Sequence, residues 1–537
     1  MKPFFFVPFV LLMAFSIFSA DLLPKHWHES KGFGTNTKGG IAGEVYKVTN
    51  LKSSGPGSLA DAVSKGNRLV VFEVGGIIEG GLKIGSSNIT IAGQTAPSPG
   101  ISFHRGNVTA SGKDIVLSHI TVRLGTEASG YPDAANITGS NTVFDHVAIF
   151  WGKDETLSLH GVNNVTLYKC IIGESLQFTG HEDGEHSKGS LINNKVSKLC
   201  MIGTLFAHNA MRNPRVDGGE IFLGNHVVYN WGTGWDHVGP KVKSEKDLLN
   251  CPKCFDRVVH IGADCNATMV NSVAIQGPDS KAEHFLAVTH SSKGKAYVDE
   301  NIIIDPKGKP LTVVDKSRIS ILSSPPIWPA DHKPMPTDEA FYETLRTAGS
   351  RPGNRDAHYT QLIKTIVDRN GDIPDSQEEV GGYPTHAPTA RPISSIPDGE
   401  AARQAWLDEL EDQIAVDRNI NLSPLYGMVG TKESDKLHGP TAAKKFAGQK
   451  TNDAGITIVQ KHSGYKQLLT AFTLSTATSV KMEVFDLAGN VVVDQPQKMY
   501  QTGSHEMLIN VQHLPVGLYI CRLQIGNVTQ NISYNCY

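Results

Sequence analysis

Charge is scarce in this chain, and neither sign dominates. Charged residues are 19% of the 537, and Lys+Arg 50 against Asp+Glu 53 leaves a net charge of -3. A binder of nucleic acid or of an anionic membrane needs a basic face, so the balance argues against both. An acidic ligand stays open, because a bound cation or a few local basic residues can supply the counter-charge. Long apolar runs are lacking after the first twenty residues. There Lys2 is a positive n-region, Phe4 to Phe18 an apolar h-region, and Ser19 and Ala20 small residues near a cleavage point. This predicts a secretory signal over 1–20 and no membrane span in the mature protein, which is expected outside the cell or on its surface. An uncleaved anchor is the rival reading, for which the run is short. Cysteine is sparse, and seven permit at most three disulfides. Cys251-Pro-Lys-Cys254, with His260 and Cys265 behind it, is compatible with a small zinc site, a stapled loop or reduced thiols. Cys170 and Cys200 read as small buried apolar side chains.

Hairpin signals are also scarce, which disfavours a sandwich or propeller for most of the chain. Glycine is plentiful at 53 residues, as a structure with many tight turns requires. From about Val45 to Ile304 short β-rich runs recur. Asn88-Ile-Thr-Ile91, Asp114-Ile-Val-Leu117, Asn141-Thr-Val-Phe144, Asn164-Val-Thr-Leu167, Lys198-Leu-Cys-Met201 and Glu220-Ile-Phe-Leu223 each begin polar and continue largely apolar. Their starts are 26, 27, 23, 34 and 22 residues apart. A loose period in the twenties predicts an all-β fold, a right-handed parallel β-helix in which each coil buries its inner face on the next. Gly57 to Val63 is a short helix-like stretch placed to cap the open end, just before an expected first strand over Leu69 to Val74.

The catalytic or binding domain is thus expected over 21–325. A Pro-rich, partly helical wrap or linker follows over 326–450. Ala340 to Asp368 reads as helix in two pieces, and a further helix is N-capped by Asp398, with Trp406, Leu410 and Ile414 on its apolar face. A small β-sandwich domain is expected over 451–537, where Val480 to Phe485 alternates and Asp486-Leu-Ala-Gly-Asn490 is a turn.

Polar constellations recur where the coils align. Asp133, and Asp154 with Glu155, precede successive strands, and the two aspartates are 21 residues apart, about one coil. Two carboxylates a strand separation apart repel unless a cation lies between them, so an oxygen-ligand Ca²⁺ site is one reading and solvated turn carboxylates the other. Lys188 and Arg212, 24 residues apart, place cations near that acid patch. Arg212 and Arg215 read equally as surface ion-pair partners.

The ordered phrases Thr49-Asn-Leu-Lys-Ser-Ser-Gly-Pro-Gly-Ser-Leu59, Val70-Val-Phe-Glu-Val-Gly-Gly76, Asn88-Ile-Thr-Ile-Ala-Gly-Gln-Thr-Ala-Pro97, Phe144-Asp-His146, Trp151-Gly-Lys-Asp-Glu-Thr156, Arg212-Asn-Pro-Arg-Val216 and Asp375-Ser-Gln-Glu-Glu-Val-Gly-Gly382 resemble the pectate lyases of polysaccharide lyase family 1. The resemblance covers about Gly32 to Pro384. It implies Ca²⁺-dependent β-elimination of polygalacturonate. It implies metal ligands at Asp133 and Asp154, substrate binding by Lys188, proton removal by Arg212, and a structural role for Asp145 and His146. Two departures stand out. The family's third carboxylate, four residues after the second, is Ser158 here, so Glu155 is the candidate replacement. Its second substrate arginine is Asp217 here, with Arg215 the candidate replacement. Val484-Phe-Asp-Leu-Ala-Gly-Asn490 and Leu514-Pro-Val-Gly-Leu-Tyr519 resemble the sorting tails of type IX secretion substrates, which implies contact with secretion machinery; an accessory sandwich is the alternative. A monomer is expected. The competing functions are a non-catalytic polysaccharide-binding β-helix, kept open by Ser158 and Asp217, and a pectin-acting hydrolase. The hydrolase would need paired acids flanking the bond, and the chain has no Asp-Asp pair or Gly-His-Gly phrase.

Overall fold

The computed structural model describes residues 25–436 and 457–536 apart from short internal stretches, the longest being 236–240, 248–253 and 289–293. The segment 1–20 and Cys251 lie outside the described residues. The chain divides into two compact units after His438.

The first unit is the right-handed parallel β-helix with its wrap. Each coil gives one strand to each of three sheets. One coil contributes Ile115–Ser118, Ile120–Arg123 and Ala135–Ile137. The next contributes Thr142–Asp145, Ala148–Phe150 and Glu155–His160, and the one after it Asn163–Tyr168, Ile171–Gly173 and Lys188–Asn193. Stacking in register makes rows: Ile91, Leu117, Phe144, Leu167, Met201, Leu223 and Met269 follow one another through the interior of the first sheet. Burying each such side chain is worth about 1.5–3 kcal/mol, and no single coil could do it alone.

The polar residue that opens each repeat makes a corner. Asn88, Asp114, Asn141 and Asn164 take φ of 55°, 58°, 56° and 54°. Asn and Asp tolerate this left-handed conformation best among side-chain-bearing residues. Asn164 Nδ2 donates to Asn141 Oδ1 at 2.9 Å, linking neighbouring corners. A second row of left-handed residues turns the chain from the first sheet into the second, and it holds His119 and His146 at φ 56° and 50°.

At the open end, α1 (Leu59–Ala62) buries Leu59 and Ala62 on the core, and Ser58 Oγ accepts from Asp61 N at 3.2 Å. The first strand is Glu44–Val48, which precedes α1, because Val45 to Val48 pairs in register with Leu69 to Phe72. The expectation of a first strand after the cap is corrected accordingly. The wrap carries α2 (Thr337–Thr347), α3 (Ala357–Asp368) and α4 (Glu400–Asp412). Asp356 caps α3 through Tyr359 N at 2.9 Å and pairs with Arg123 on the second sheet at 2.7 Å, so one carboxylate starts the helix and docks it. The α4 helix begins after Gly399 rather than at Asp398. Its buried residues are Leu407 and Glu411, with Trp406 only partly covered. Cys170, Cys200 and Cys265 are buried free thiols, and Cys265 belongs to the inner core.

The second unit has a three-stranded and a four-stranded antiparallel sheet, built from strands between Thr457 and Cys536. Leu474 and Ile509 of one sheet share a core with Val480, Met482, Val484 and Leu523 of the other. Among the described residues no helix is long and apolar enough to cross a membrane.

Candidate active site

The site forms where second-sheet strands hand over to third-sheet strands. Trp151 leaves Phe150 with φ 63° and is fully buried, its Nε1 donating to Glu174 Oε2 at 2.8 Å. Gly152 follows because a Cβ there would lie 2.3 Å from the Glu155 carbonyl oxygen. Lys153 reaches back one coil, and its Nζ donates to Ala128 O at 2.9 Å and Thr126 O at 3.3 Å. That tether fixes the loop carrying Asp133, whose Oδ1 accepts from Glu155 N at 2.9 Å. Asp133 and the Asp154–Glu155 pair, one coil apart in sequence, are therefore together in space. Carboxylate oxygens of all three lie within 4.8 Å of one another.

Such a cluster is electrostatically uncomfortable. Burial, then the neighbouring Asp154, pushes the Asp133 carboxyl up to about 6. Burial pushes Asp154 up too, but the hydrogen bond and charge of His186, with His181 and Arg212, outweigh it and hold Asp154 low. His186 Nε2 is 2.5 Å from Asp154 Oδ1, and the His181 ring stacks on His186 at 3.8 Å. Asp154 is 39% exposed, so this edge of the cluster opens to solvent. Three convergent carboxylates with one destabilised by its neighbours fit a divalent cation with oxygen ligands. Glu155 is meanwhile engaged by Arg212 Nη1 in a close ion pair.

Arg212 takes φ 62°, and its carbonyl accepts from Ser190 N at 2.7 Å. Its neighbour Met211 donates its N–H to Ser187 O and bridges Lys188. Ser187 itself donates its hydroxyl to Ser175 O at 2.7 Å, and Ser175 Oγ donates to Lys188 O at 2.7 Å. This lattice sets the backbone that presents Arg212.

Lys188 is the cross-strand partner of Glu155 and is turned towards the interior. Leu157 and Leu159 lie in the core, and so does Ile192, which pairs with Leu159. Lys188 shares the inward phase of Ile192, has no exposed surface, and donates from Nζ to the equally buried Glu185 Oε2 at 2.8 Å. Arg215 is on the outer face, in one cross-strand row with Asn136, Ser158 and Leu191. Its Nε donates to Asp217 Oδ2 at 2.6 Å, so the residue standing at the second arginine position restrains its candidate substitute. Ser158 is buried in that same row.

Sequence reasoning did not single out Lys153, His181 or Glu185. The pair of histidines in the Gly-rich stretch Gly180-His-Glu-Asp-Gly-Glu-His186 was the available signal. Asp145 and His146, expected to be structural, are fully buried at a coil corner, away from this cluster.

The three stacked parallel sheets, with an acidic cluster and a cationic side chain where the second hands over to the third, define a parallel β-helix protein with a polar site on its side. More narrowly, the chain belongs to the pectate lyase family. It is 32% identical over 366 residues to "Probable pectate lyase C" of Aspergillus flavus, which spans 66% of this chain and 80% of that one. It is 33% identical over 405 residues to the protein of the same name from Neosartorya fischeri, spanning 73% and 88%. Among solved structures it is similar to a pectate lyase bound to hexasaccharide, with a TM-score of 0.43 and 14% identity over 62% of this chain and 99% of that one. Residues 469–533 match the secretion system C-terminal sorting domain.

Proposed function

We propose that this protein is a secreted pectate lyase that cleaves polygalacturonate by Ca²⁺-dependent β-elimination to 4,5-unsaturated products. The observation that carries the reading is the contact between Glu155 of the acidic cluster and Arg212, beside Asp133 and Asp154. Asp133, Asp154 and Glu155 are the residues that would hold Ca²⁺. Bound there, the ion would supply positive charge to the substrate carboxylate and favour the charge that develops on it as C5 loses its proton. Glu155 cannot serve the ion and Arg212 fully at once, so its departure frees Arg212 to face the sugar. Arg212 then accepts the C5 proton. The C5–H electron pair becomes the C4=C5 double bond, the C4–O bond breaks, and the leaving oxygen keeps that bond's electrons and is protonated by water. Arginine ordinarily keeps its proton across the accessible pH range, so alkaline conditions favour this step. Lys188 adds a cation once Glu185 gives way, and Arg215 binds the chain further along the sheet.

In this reading residues 21–325 carry catalysis, 326–450 wrap the helix, and 451–537 direct export through the cell's secretion machinery. A binding protein without turnover is the second reading, favoured by Ser158 and by the Arg215–Asp217 pair. The purified protein with polygalacturonate at alkaline pH should raise the ultraviolet absorbance of unsaturated uronate, and the rise should stop with a chelator. Arg212→Ala should lower the rate by at least about 100-fold, the lower end for losing a positioned proton acceptor. New reducing ends without absorbance would establish a hydrolase, and binding without turnover the second reading.

A further inference from the structure

A second polar cluster lies away from the acid site, at the corner between the first and second sheets. His119 and His146 occupy adjacent left-handed corner positions with rings stacked at 4.7 Å. Asp145 precedes His146, and Glu411 reaches in from α4. Ligand atoms of these four lie within 4.8 Å of one another, and all four residues are buried. His26 approaches from the N-terminal side, its Nδ1 3.5 Å from Glu411 Oε1.

Apart from His146 Nδ1 on Asp145 Oδ1, the facing nitrogen and oxygen atoms stand 3.5 Å or more apart. His119 Nε2 is 3.7 Å from Glu411 Oε2 and 3.9 Å from Asp145 Oδ2. Among the described residues, His119 Nε2, Asp145 Oδ2, Glu411 Oε1 and His26 Nδ1 are buried without a hydrogen-bond partner. An imidazolium touching a carboxylate would close to about 2.8 Å. Here the groups stand around a common point instead. His119 Nδ1 is 2.6 Å from the Ser350 carbonyl oxygen, to which it can only donate, and Nε2 is the nitrogen turned towards the two carboxylates. His146 Nδ1 lies 2.7 Å from Asp145 Oδ1 and orients that carboxylate. A histidine whose far nitrogen is fixed by a carbonyl, beside a carboxylate oriented by a second imidazole, is the arrangement that supports metal ligands.

We propose that His119 Nε2, Asp145 and Glu411 bind a zinc-class transition metal ion, with the imidazole of His26 as fourth ligand. Mixed nitrogen and oxygen donors suit zinc better than calcium. Tetrahedral zinc places neighbouring ligand atoms about 3.3 Å apart, so the His119 spacings of 3.7 and 3.9 Å need to close by roughly half an ångström. The ion would clamp α4 and the N-terminal segment onto the coil corners. It fixes the wrap rather than serving catalysis, and it does not depend on the lyase reading.

The full-length protein should be loaded with Zn²⁺, dialysed against chelator-free buffer with millimolar Ca²⁺ to keep zinc off the acidic cluster, and its metal content measured. One equivalent of zinc should remain, and dipicolinate should remove it with a fall in melting temperature. Glu411→Gln and His119→Gln should each lose the zinc, while Asp154→Asn should keep it. Fewer than about one zinc per ten chains in the unaltered protein, or full zinc in both Glu411→Gln and His119→Gln, overturns the site. Should those variants not fold, zinc-edge X-ray absorption of the Asp154→Asn protein decides, since Asp154, His181 and His186 form a second nitrogen and oxygen cluster. Nitrogen and oxygen neighbours alone support the site, and any sulfur neighbour overturns it by placing the ion on cysteine.

Discussion

Glu155 is bound at both ends. Its backbone N–H holds Asp133, and its carboxylate holds Arg212. Ser158, by contrast, contributes a small buried hydroxyl in the row that runs to Arg215. A carboxylate at 158 would add an oxygen ligand and relieve Glu155 of the choice between cation and Arg212. We expect Ser158→Asp to tighten Ca²⁺ binding roughly tenfold, as added ligand charge does in calcium sites, and to lower the calcium concentration for half-maximal turnover. Calcium titration by calorimetry checks this. Unchanged affinity in a folded Ser158→Asp protein would mean that the cation does not sit in this row. The expectation that Lys188 grips substrate directly is the part of the site that the geometry supports least, since its ammonium is buried on Glu185.

At the scale of the element, the coil corners carry the fold. Asn141 is left-handed at φ 56°, and its Oδ1 accepts from Asn164. A β-branched side chain cannot adopt that backbone without strain. Asn141→Val should destabilise the first unit by about 1–2 kcal/mol from the backbone alone, while Asn141→Gly should cost less. Thermal melts of the two variants side by side read the difference, and equal melting temperatures would show that this corner is not a source of strain. The helix α4 shows how an element's buried face can differ from its apolar pattern. Trp406, Leu410 and Ile414 mark an apolar stripe, yet Arg403 donates to Ile41 O at 2.8 Å, Leu407 is buried and Glu411 enters the histidine cluster. A buried charge needs a partner, and that partner stands on a coil distant in sequence, so helical periodicity could not reveal it.

For the whole molecule, burial of histidines sets the acid limit. Burial, then Arg123 and Arg105, pushes His104 down to about 3, and burial pushes His226 down to about 4. Both rings are neutral in the native protein at pH 5, whereas unfolded histidines protonate below about 6.5. The unfolded state binds more protons across that window, so stability is complete above pH 6.5 and falls as pH drops towards 4. Each histidine contributes about 1.4 kcal/mol per pH unit. His226→Leu should flatten the decline, seen as melting temperatures that fall less between pH 6 and 4 than those of the unaltered protein. A parallel decline would show that other groups set the limit.

The recurrence of polar-then-apolar runs was legible in the sequence because a β-helix repeats one local solution: an Asn or Asp corner, then an apolar inner row. The one-coil spacing of Asp133 and Asp154 was legible for the same reason, since those residues sit on adjacent coils with a short, regular turn between them. The tail was legible as alternating strands. The phase of each strand after an irregular turn was not legible. The 174–187 segment re-enters the third sheet with Lys188 facing inward, and nothing local sets that choice; the inward fit of Ile192 decides it. The meetings of Arg212 with Glu155, His186 with Asp154, and Glu411 with His119 join side chains from separate coils or from the wrap. Sequence by itself determined the rungs, the corners and the residue types on offer. Which charges face each other was decided only by packing, because burial forces each to find whatever partner the stacked coils bring within reach.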